Sequence, residues 1–307
     1  MDQWRDVAPF GDAQLADAVR ADGIDVLVDL AAHSGRNRML TFARKPAPVQ
    51  LTYLAYCSTT GVDAIDYRVT DRFLDPPGGS SHYTEASLHL PHCYWCYSAP
   101  PLGRSVTERL AGPPTFGCLN NFAKVTDVTL ELWGRLLERV PEARLLVYAR
   151  TEPHLDRVRR ALRDAGLDES RAAFVGYQSL AAYLDTYREI DVALDSHPYG
   201  GGTTSCDALW MGVPVVTLAG RTAVSRAGTT LLCNVGLDDL VARSAEQYVE
   251  LAAKLIRDTE RLAELRRDLR TRLEASPIMD ARLFARDFEA GLRTGWRAWC
   301  EGRARAS

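Results

Sequence analysis

The chain has 307 residues, 46% of them hydrophobic and 25% charged, with a formal net charge of −3. That balance leaves no basic footprint for nucleic acid or an anionic membrane, and no apolar run reaches the roughly 18–20 residues that span a bilayer. The opening residues lack the basic start and apolar stretch of a secretory signal, and seven scattered cysteines suit reduced thiols in a cytoplasmic setting better than a disulfide framework.

Residues 12–23 have helical apolar spacing and end on Gly23, a C-cap residue. Residues 24–32 follow as a buried strand and 37–46 as a helix that stops at Pro46, with further strands at 49–56, 67–71 and 87–91. Prolines at 100–101 and 113–114 bound a polar stretch, which predicts a first domain over 1–110 and a second over 111–307. Strand and helix then alternate: strand 115–120, helix 127–141, strand 143–149, helix 155–166, strand 172–176, the segment 179–187 and strand 190–196. A glycine-rich loop, its helix and strand 213–220 complete the series, so the near-continuous apolar strands predict a parallel doubly wound sheet. The last third is helical, over 225–236, 245–276 and 280–302. Arginines in its middle run alternate with Glu and Asp, as on a solvated face.

Chemistry concentrates in DSHPYGGGTTSCDALWMGVPVVTLAG, residues 195–220. The stretch lacks the lysine of a Walker A loop, the GxGxxG dinucleotide fingerprint and the GxSxG nucleophile elbow. Glycines let a backbone approach a ligand, and the amides at the start of the following helix favour phosphate. Thr203 and Thr204 add hydroxyl donors there, and Asp207, read as lying in the first turn, offers an acceptor for ribose hydroxyls. The alternative is a plain strand-to-helix turn with Asp207 as a favourable first-turn charge. Lys124, in CLNNFAKVT, follows the first strand of the same domain, at the sheet edge where ligands of open α/β sheets collect. A solvent-exposed loop lysine is its alternative.

LHLPHCYWC (88–96) offers His89, His92, Cys93 and Cys96 as zinc ligands, or its CxxC as a redox pair. Zinc sites usually draw ligand pairs from two separated segments, and Pro91 interrupts this one. Packing with free thiols is expected, and no metal.

The collinear segments DGIDVLVDLAAHSGRNRMLTFARKPAPVQLTYLAYCSTTG, AIDYRVTD, TFGCLNNFAKVT, IDVALDSHPYGGGTTSCDALWMGVPVVTLAG and SRAGTTLL cover nearly the whole chain. Together they resemble the catalytic region of the O-GlcNAc transferase/SPINDLY family of glycosyltransferases, in particular its bacterial members. The resemblance implies a GT-B-like α/β fold of two Rossmann-like domains, the first N-terminally truncated and the second a complete doubly wound parallel sheet. It implies inverting, metal-independent transfer of a sugar, GlcNAc from UDP-GlcNAc, to Ser or Thr of a protein or peptide, with no cofactor beyond the nucleotide sugar. A GDP-fucose-dependent O-fucosyltransferase is a second implication, and a nucleotide-binding but catalytically silent fragment a third.

Carried over residue by residue, Lys124 stands where the family lysine neutralises the leaving diphosphate, and Asn121 where its neighbouring amide is often Gln. Thr203 and Thr204 stand at the diphosphate, Asp207 at the ribose, and the backbone of Tyr177 and Gln178 at the base edge. Tyr183 replaces a base-stacking His, Leu180 a lysine of some members, Gly202 a His of some members, and Cys57 a usual proline. Set against the family, the chain is expected to start late in the first domain, without the family's proposed catalytic histidine or its tetratricopeptide repeats. His33 lies in a family-like loop toward the cleft and is the second catalytic candidate, with a local structural hydrogen bond as its alternative. Nucleotide binding without robust transfer, and self-association through the open edge of the first domain, are expected of the chain by itself.

Overall fold

Two all-parallel sheets organise the chain in the computed structural model, which describes residues 3–76, 78, 82–101 and 109–302. Contacts divide the chain into one unit of Met1–Tyr94 with Arg282–Ser307 and another of Trp95–Ala281. The division falls earlier than the expected 110/111, and it returns the last helix to the first unit.

The first unit runs α1 (Asp12–Ala21), β1 (Val26–Asp29), α2 (Met39–Phe42), β2 (Val49–Thr52), β3 (Tyr67–Asp71) and β4 (Ala86–Leu90), with the strands side by side in chain order. Inside this sheet, buried Gln50 on β2 donates to the carbonyls of Phe42 and Ala64 at 2.9 and 2.8 Å. Helix α10 (Ala281–Cys300) packs here because its glycines permit close approach. A Cβ at Gly291 would meet Leu88 at 2.5 Å, and one at Gly295 would meet the Tyr67 ring at 3.1 Å. Phe284 and Phe288 add rings at 5.7 and 5.1 Å from that of Tyr53. These aromatic contacts form only in three dimensions, so they left no mark in the local spacing that assigned this helix to the second domain.

The second unit alternates strand and helix: β5 (Thr115–Cys118), α3 (Asp127–Arg139), β6 (Arg144–Tyr148), α4 (Glu152–Asp164), β7 (Ala172–Val175), α5 (Leu180–Thr186), β8 (Val192–Leu194), α6 (Thr203–Trp210), β9 (Val215–Leu218), α7 (Ala227–Asn234), β10 (Val241–Ala242), α8 (Ala245–Arg257) and α9 (Thr259–Glu274). Its strand order is β10-β9-β8-β5-β6-β7. The chain therefore winds outward from β5 through β6 and β7, then crosses back to lay β8 on the other side of β5. That is the doubly wound order expected from the alternation. Every residue of β5 is buried, as a central strand covered by helices requires. Gly117 within it leaves room for the Ile190 side chain.

Helices start where a side chain can take an orphan amide: Thr126 accepts from the Thr129 N–H, Ser179 from Ala182 and Ser244 from Gln247. The same chemistry corrects one expectation. The run 245–276 is two helices, because Asp258, at φ −88° and ψ 80°, leaves helical geometry and its carboxylate accepts the Arg261 N–H to begin α9.

Candidate functional site

β5 pairs on one side with β6 and on the other with β8, so the sheet's winding reverses between β5 and β8. Loops leaving the carboxyl ends of two such strands diverge and open a crevice. The two loops there are 119–126 and 195–202, the two that carry the sequence candidates.

They are tied together closely. Lys124 Nζ donates to the Gly200 carbonyl at 3.0 Å and lies 4.0 Å from the Tyr199 ring centroid. Thr126 and Thr129 hydroxyls donate to the His197 carbonyl at 2.6 and 2.8 Å. Beneath them sits Asp195, buried at the end of β8, accepting from the Gly201 N–H at 2.6 Å, Thr217 Oγ1 at 2.8 Å and Asn120 Nδ2 at 3.2 Å. Burial raises its pKa, and the hydrogen bonds from Gly201 and Thr217 oppose that shift. Asn120 also donates to Ser196 Oγ at 2.9 Å and accepts from the Thr204 hydroxyl, so it clamps both loops to the helix start. Sequence reasoning passed over Asn120 and Asp195. The Asn-Asn pair 120–121 was the available signal, but nothing local says which amide turns inward. Asn121, the one singled out, caps its own turn by accepting from the Ala123 N–H at 3.1 Å.

The three glycines serve packing inside the protein. None of Gly200, Gly201 and Gly202 has a positive φ. A Cβ on Gly200 would meet Asp195 Oδ2 at 2.9 Å, one on Gly201 would collide with Ser205 and Asn120, and one on Gly202 would meet the Trp95 ring at 2.5 Å. The loop can close on itself only without side chains. Its exit is open: α6 has no side-chain N-cap and Thr203 is exposed, which leaves the positive end of the helix facing solvent for an anion.

Asp207 lies in the second turn of α6, since the helix begins at Thr203 and its first turn holds no acid. It is therefore not a dipole-complementing first-turn charge. Its carboxylate is buried and accepts from the Tyr97 hydroxyl on Oδ1 at 2.6 Å and the Tyr183 hydroxyl on Oδ2 at 2.9 Å. Burial raises the Asp207 pKa and the two phenols oppose that shift, while burial pushes both phenols upward and keeps them as donors. Tyr183 thus has its hydroxyl committed, with its ring edge-on to Tyr187 at 5.5 Å. Tyr177 is 83% exposed beside Arg150, and Gln178 Oε1 accepts from Thr186 Oγ1 at 3.1 Å.

In the first unit, His33 is exposed and its Nε2 lies 3.0 Å from the Thr59 carbonyl, within the tract 58–61. That is the local hydrogen bond held open as its alternative. Glu85 anchors the same tract, accepting from the Thr60 N–H at 2.7 Å. The four residues of the metal-like stretch disperse: His89 contacts the Asp75 carbonyl, His92 pairs with Asp287, and neither Cys93 nor Cys96 is in a disulfide. Among the described residues no group of three or more His, Cys, Asp or Glu is placed to hold a metal. A groove of about 530 Å³ between α3 and α4 is lined by charged residues including Asp127 and Arg157, and holds none of the candidates.

A model of glycosyl transferase family 41 matches residues 5–109 and 114–288. The chain is 39% identical over 312 residues to the probable UDP-N-acetylglucosamine–peptide N-acetylglucosaminyltransferase SPINDLY of Oryza sativa subsp. japonica, covering 99% of this chain and 33% of that protein. The protein of the same name from Solanum lycopersicum is 38% identical, over 97% of this chain and 33% of its own. A variant of the Thermobaculum terrenum O-GlcNAc transferase superposes with a TM-score of 0.91 at 42% identity, covering 98% of this chain and 58% of that one. The two parallel sheets thus fit the two Rossmann-like domains of a GT-B fold. The chain spans about one third of the length of the plant relatives.

Proposed function

The chain belongs to glycosyl transferase family 41, and from that membership and the switch-point geometry we propose that it binds a UDP-sugar through its second unit and transfers N-acetylglucosamine to Ser or Thr hydroxyls of a protein. The observation that carries this is the meeting of a lysine loop with an open helix N-terminus between β5 and β8. Lys124, the Thr203 hydroxyl and the first amides of α6 receive the diphosphate, with Thr204 held in place by Asn120 and Asn121 at the rim. Asp207 accepts from the ribose hydroxyls, the backbone of Tyr177 and Gln178 meets the base edge, and Tyr183 packs beside the nucleoside. Gly202, whose side-chain space the Trp95 ring fills, forms the packed turn that leads into α6 at the diphosphate. In the single, inverting displacement the acceptor hydroxyl oxygen bonds to the anomeric carbon as the bond to the diphosphate breaks, and the hydroxyl proton is released to water. Lys124 and the helix dipole offset the charge that develops on the leaving group, the stabilisation a metal supplies in other transferases. His33 is assigned to the acceptor side on family resemblance.

The partners follow the same reading. A protein acceptor is presented by an upstream repeat region of the family's type or met directly, and a second copy can pair along β1. Seven cysteines outside any disulfide fit a cytoplasmic setting.

Calorimetry with UDP, UDP-GlcNAc, GDP and GDP-fucose, beside a transfer assay, tests the proposal. UDP and UDP-GlcNAc bind, and Lys124→Met lowers transfer by about 10²-fold or more, the scale of losing one electrostatic stabiliser, with a smaller loss of UDP affinity. Preference for GDP-fucose redirects the assignment to fucosyl transfer. A chain that binds no nucleotide overturns it.

A further inference from the structure

Residues 95–97 open the second unit and lie against the helix start of the candidate site. The Trp95 ring fills the space where a Cβ at Gly202 would stand, and the Tyr97 N–H donates to the Ile278 carbonyl at 2.8 Å. Two anchors therefore fix this short segment in place. From there the Tyr97 hydroxyl reaches Asp207 Oδ1 at 2.6 Å, opposite the Tyr183 hydroxyl at 2.9 Å on Oδ2.

We propose that Tyr97 is a positioning residue for nucleotide recognition: with Tyr183 it forms a two-phenol clamp that holds the Asp207 carboxylate in one orientation, so that its remaining lone pairs face the ribose diol. This rests on the assignment of Asp207 to the ribose. A carboxylate has about four acceptor positions, and one phenol on each oxygen leaves one position per oxygen. The ribose offers two vicinal hydroxyl donors, and the two open positions match them in number. A carboxylate free to rotate would lose rotamer entropy on meeting the diol, whereas a clamped one has lost it on folding. Phenols suit the task because they donate to an ionised acceptor while carrying no charge that would compete for it. Burial supports the same division of roles, since it keeps both phenols protonated and the carboxylate short of water. Tyr97 touches no substrate atom in this scheme and acts through Asp207.

The experiment compares UDP with 2′,3′-dideoxy-UDP by calorimetry on the full chain and on Tyr97→Phe, Asp207→Asn and the double variant. Tyr97→Phe lowers UDP affinity about 2- to 12-fold, the scale of one ordinary net hydrogen bond, and leaves the dideoxy nucleotide unchanged. In the Asp207→Asn background the same substitution has no further effect. Equal losses for UDP and its dideoxy form, or a loss that persists beside Asp207→Asn, mean that Tyr97 only packs, and the clamp is overturned. Unchanged UDP affinity in Tyr97→Phe overturns it as well. Tyr183→Phe queries the other carboxylate oxygen, so the test stands if Tyr97→Phe fails to fold. If the unaltered chain binds UDP but shows no preference over the dideoxy form, the ribose assignment of Asp207 falls and takes the clamp with it. If it binds no nucleotide, the proposed function itself falls.

Discussion

A buried carboxylate between two phenols carries a pH signature. Burial raises the Asp207 pKa above its value near 3.9 in an unfolded chain. The folded protein therefore holds this proton more tightly than the unfolded chain does. Its contribution to apo stability is present below the unfolded value and is lost as pH rises through the folded one. Donor affinity runs the other way. The ionised carboxylate accepts from the ribose, so UDP-GlcNAc affinity weakens as pH falls through the same raised value, earlier than for an exposed Asp. The groups facing it are Tyr97, Tyr183 and Tyr187, and burial keeps the three tyrosines protonated throughout. Calorimetry over a pH series reads this directly, and Asp207→Asn flattens it. A profile with the same midpoint in Asp207→Asn would assign the proton elsewhere, with buried Asp195 next in line.

At the scale of elements, the glycine loop and α6 behave as one rigid piece held by Asp195 and Asn120. Its glycines answer to neighbouring protein atoms, which makes them sensitive to very small additions. Gly202→Ala places a methyl 2.5 Å from the Trp95 ring, so overpacking lowers stability by about 1–3 kcal/mol. Trp95→Ala removes the obstacle, and in its background Gly202→Ala costs little. Thermal melts of the four proteins close the cycle, and equal costs of Gly202→Ala in both backgrounds would show that Trp95 is not what excludes the side chain.

At the scale of the whole chain, each sheet ends on edge strands that have one neighbour among the described strands. The first ends on β1, which pairs only with β2 among the described strands. An open parallel edge is a template for another strand. Sedimentation of the purified chain should show concentration-dependent association, and Leu27→Lys, a charge in the middle of β1, should weaken it while leaving UDP binding unchanged. A monodisperse monomer at all concentrations would remove the edge as an association surface. Nucleotide binding is expected to be independent of that association, because every nucleotide-binding candidate belongs to the second unit.

Apolar runs, capping residues and turn glycines act over a few positions, so the alternation of strand and helix, the doubly wound class and the two candidate loops were legible in the amino-acid order by itself. Local capping was legible in principle too, yet the break at Asp258 was missed because an Asp in a charge-rich helical run also reads as a solvated face. Tertiary structure decided what depends on residues far apart in the chain. It made β5 and β8 neighbours, turned Asn120 inward and Asn121 outward, and placed Asp195 under the loop. It set Trp95 against Gly202 and Tyr97 against Asp207, and it returned α10 to the first sheet. The physical reason is common to all of these. Periodicity reports which face of an element is buried, whereas hydrogen bonds and close contacts between elements depend on which face each one meets, and that is settled only when the sheets assemble.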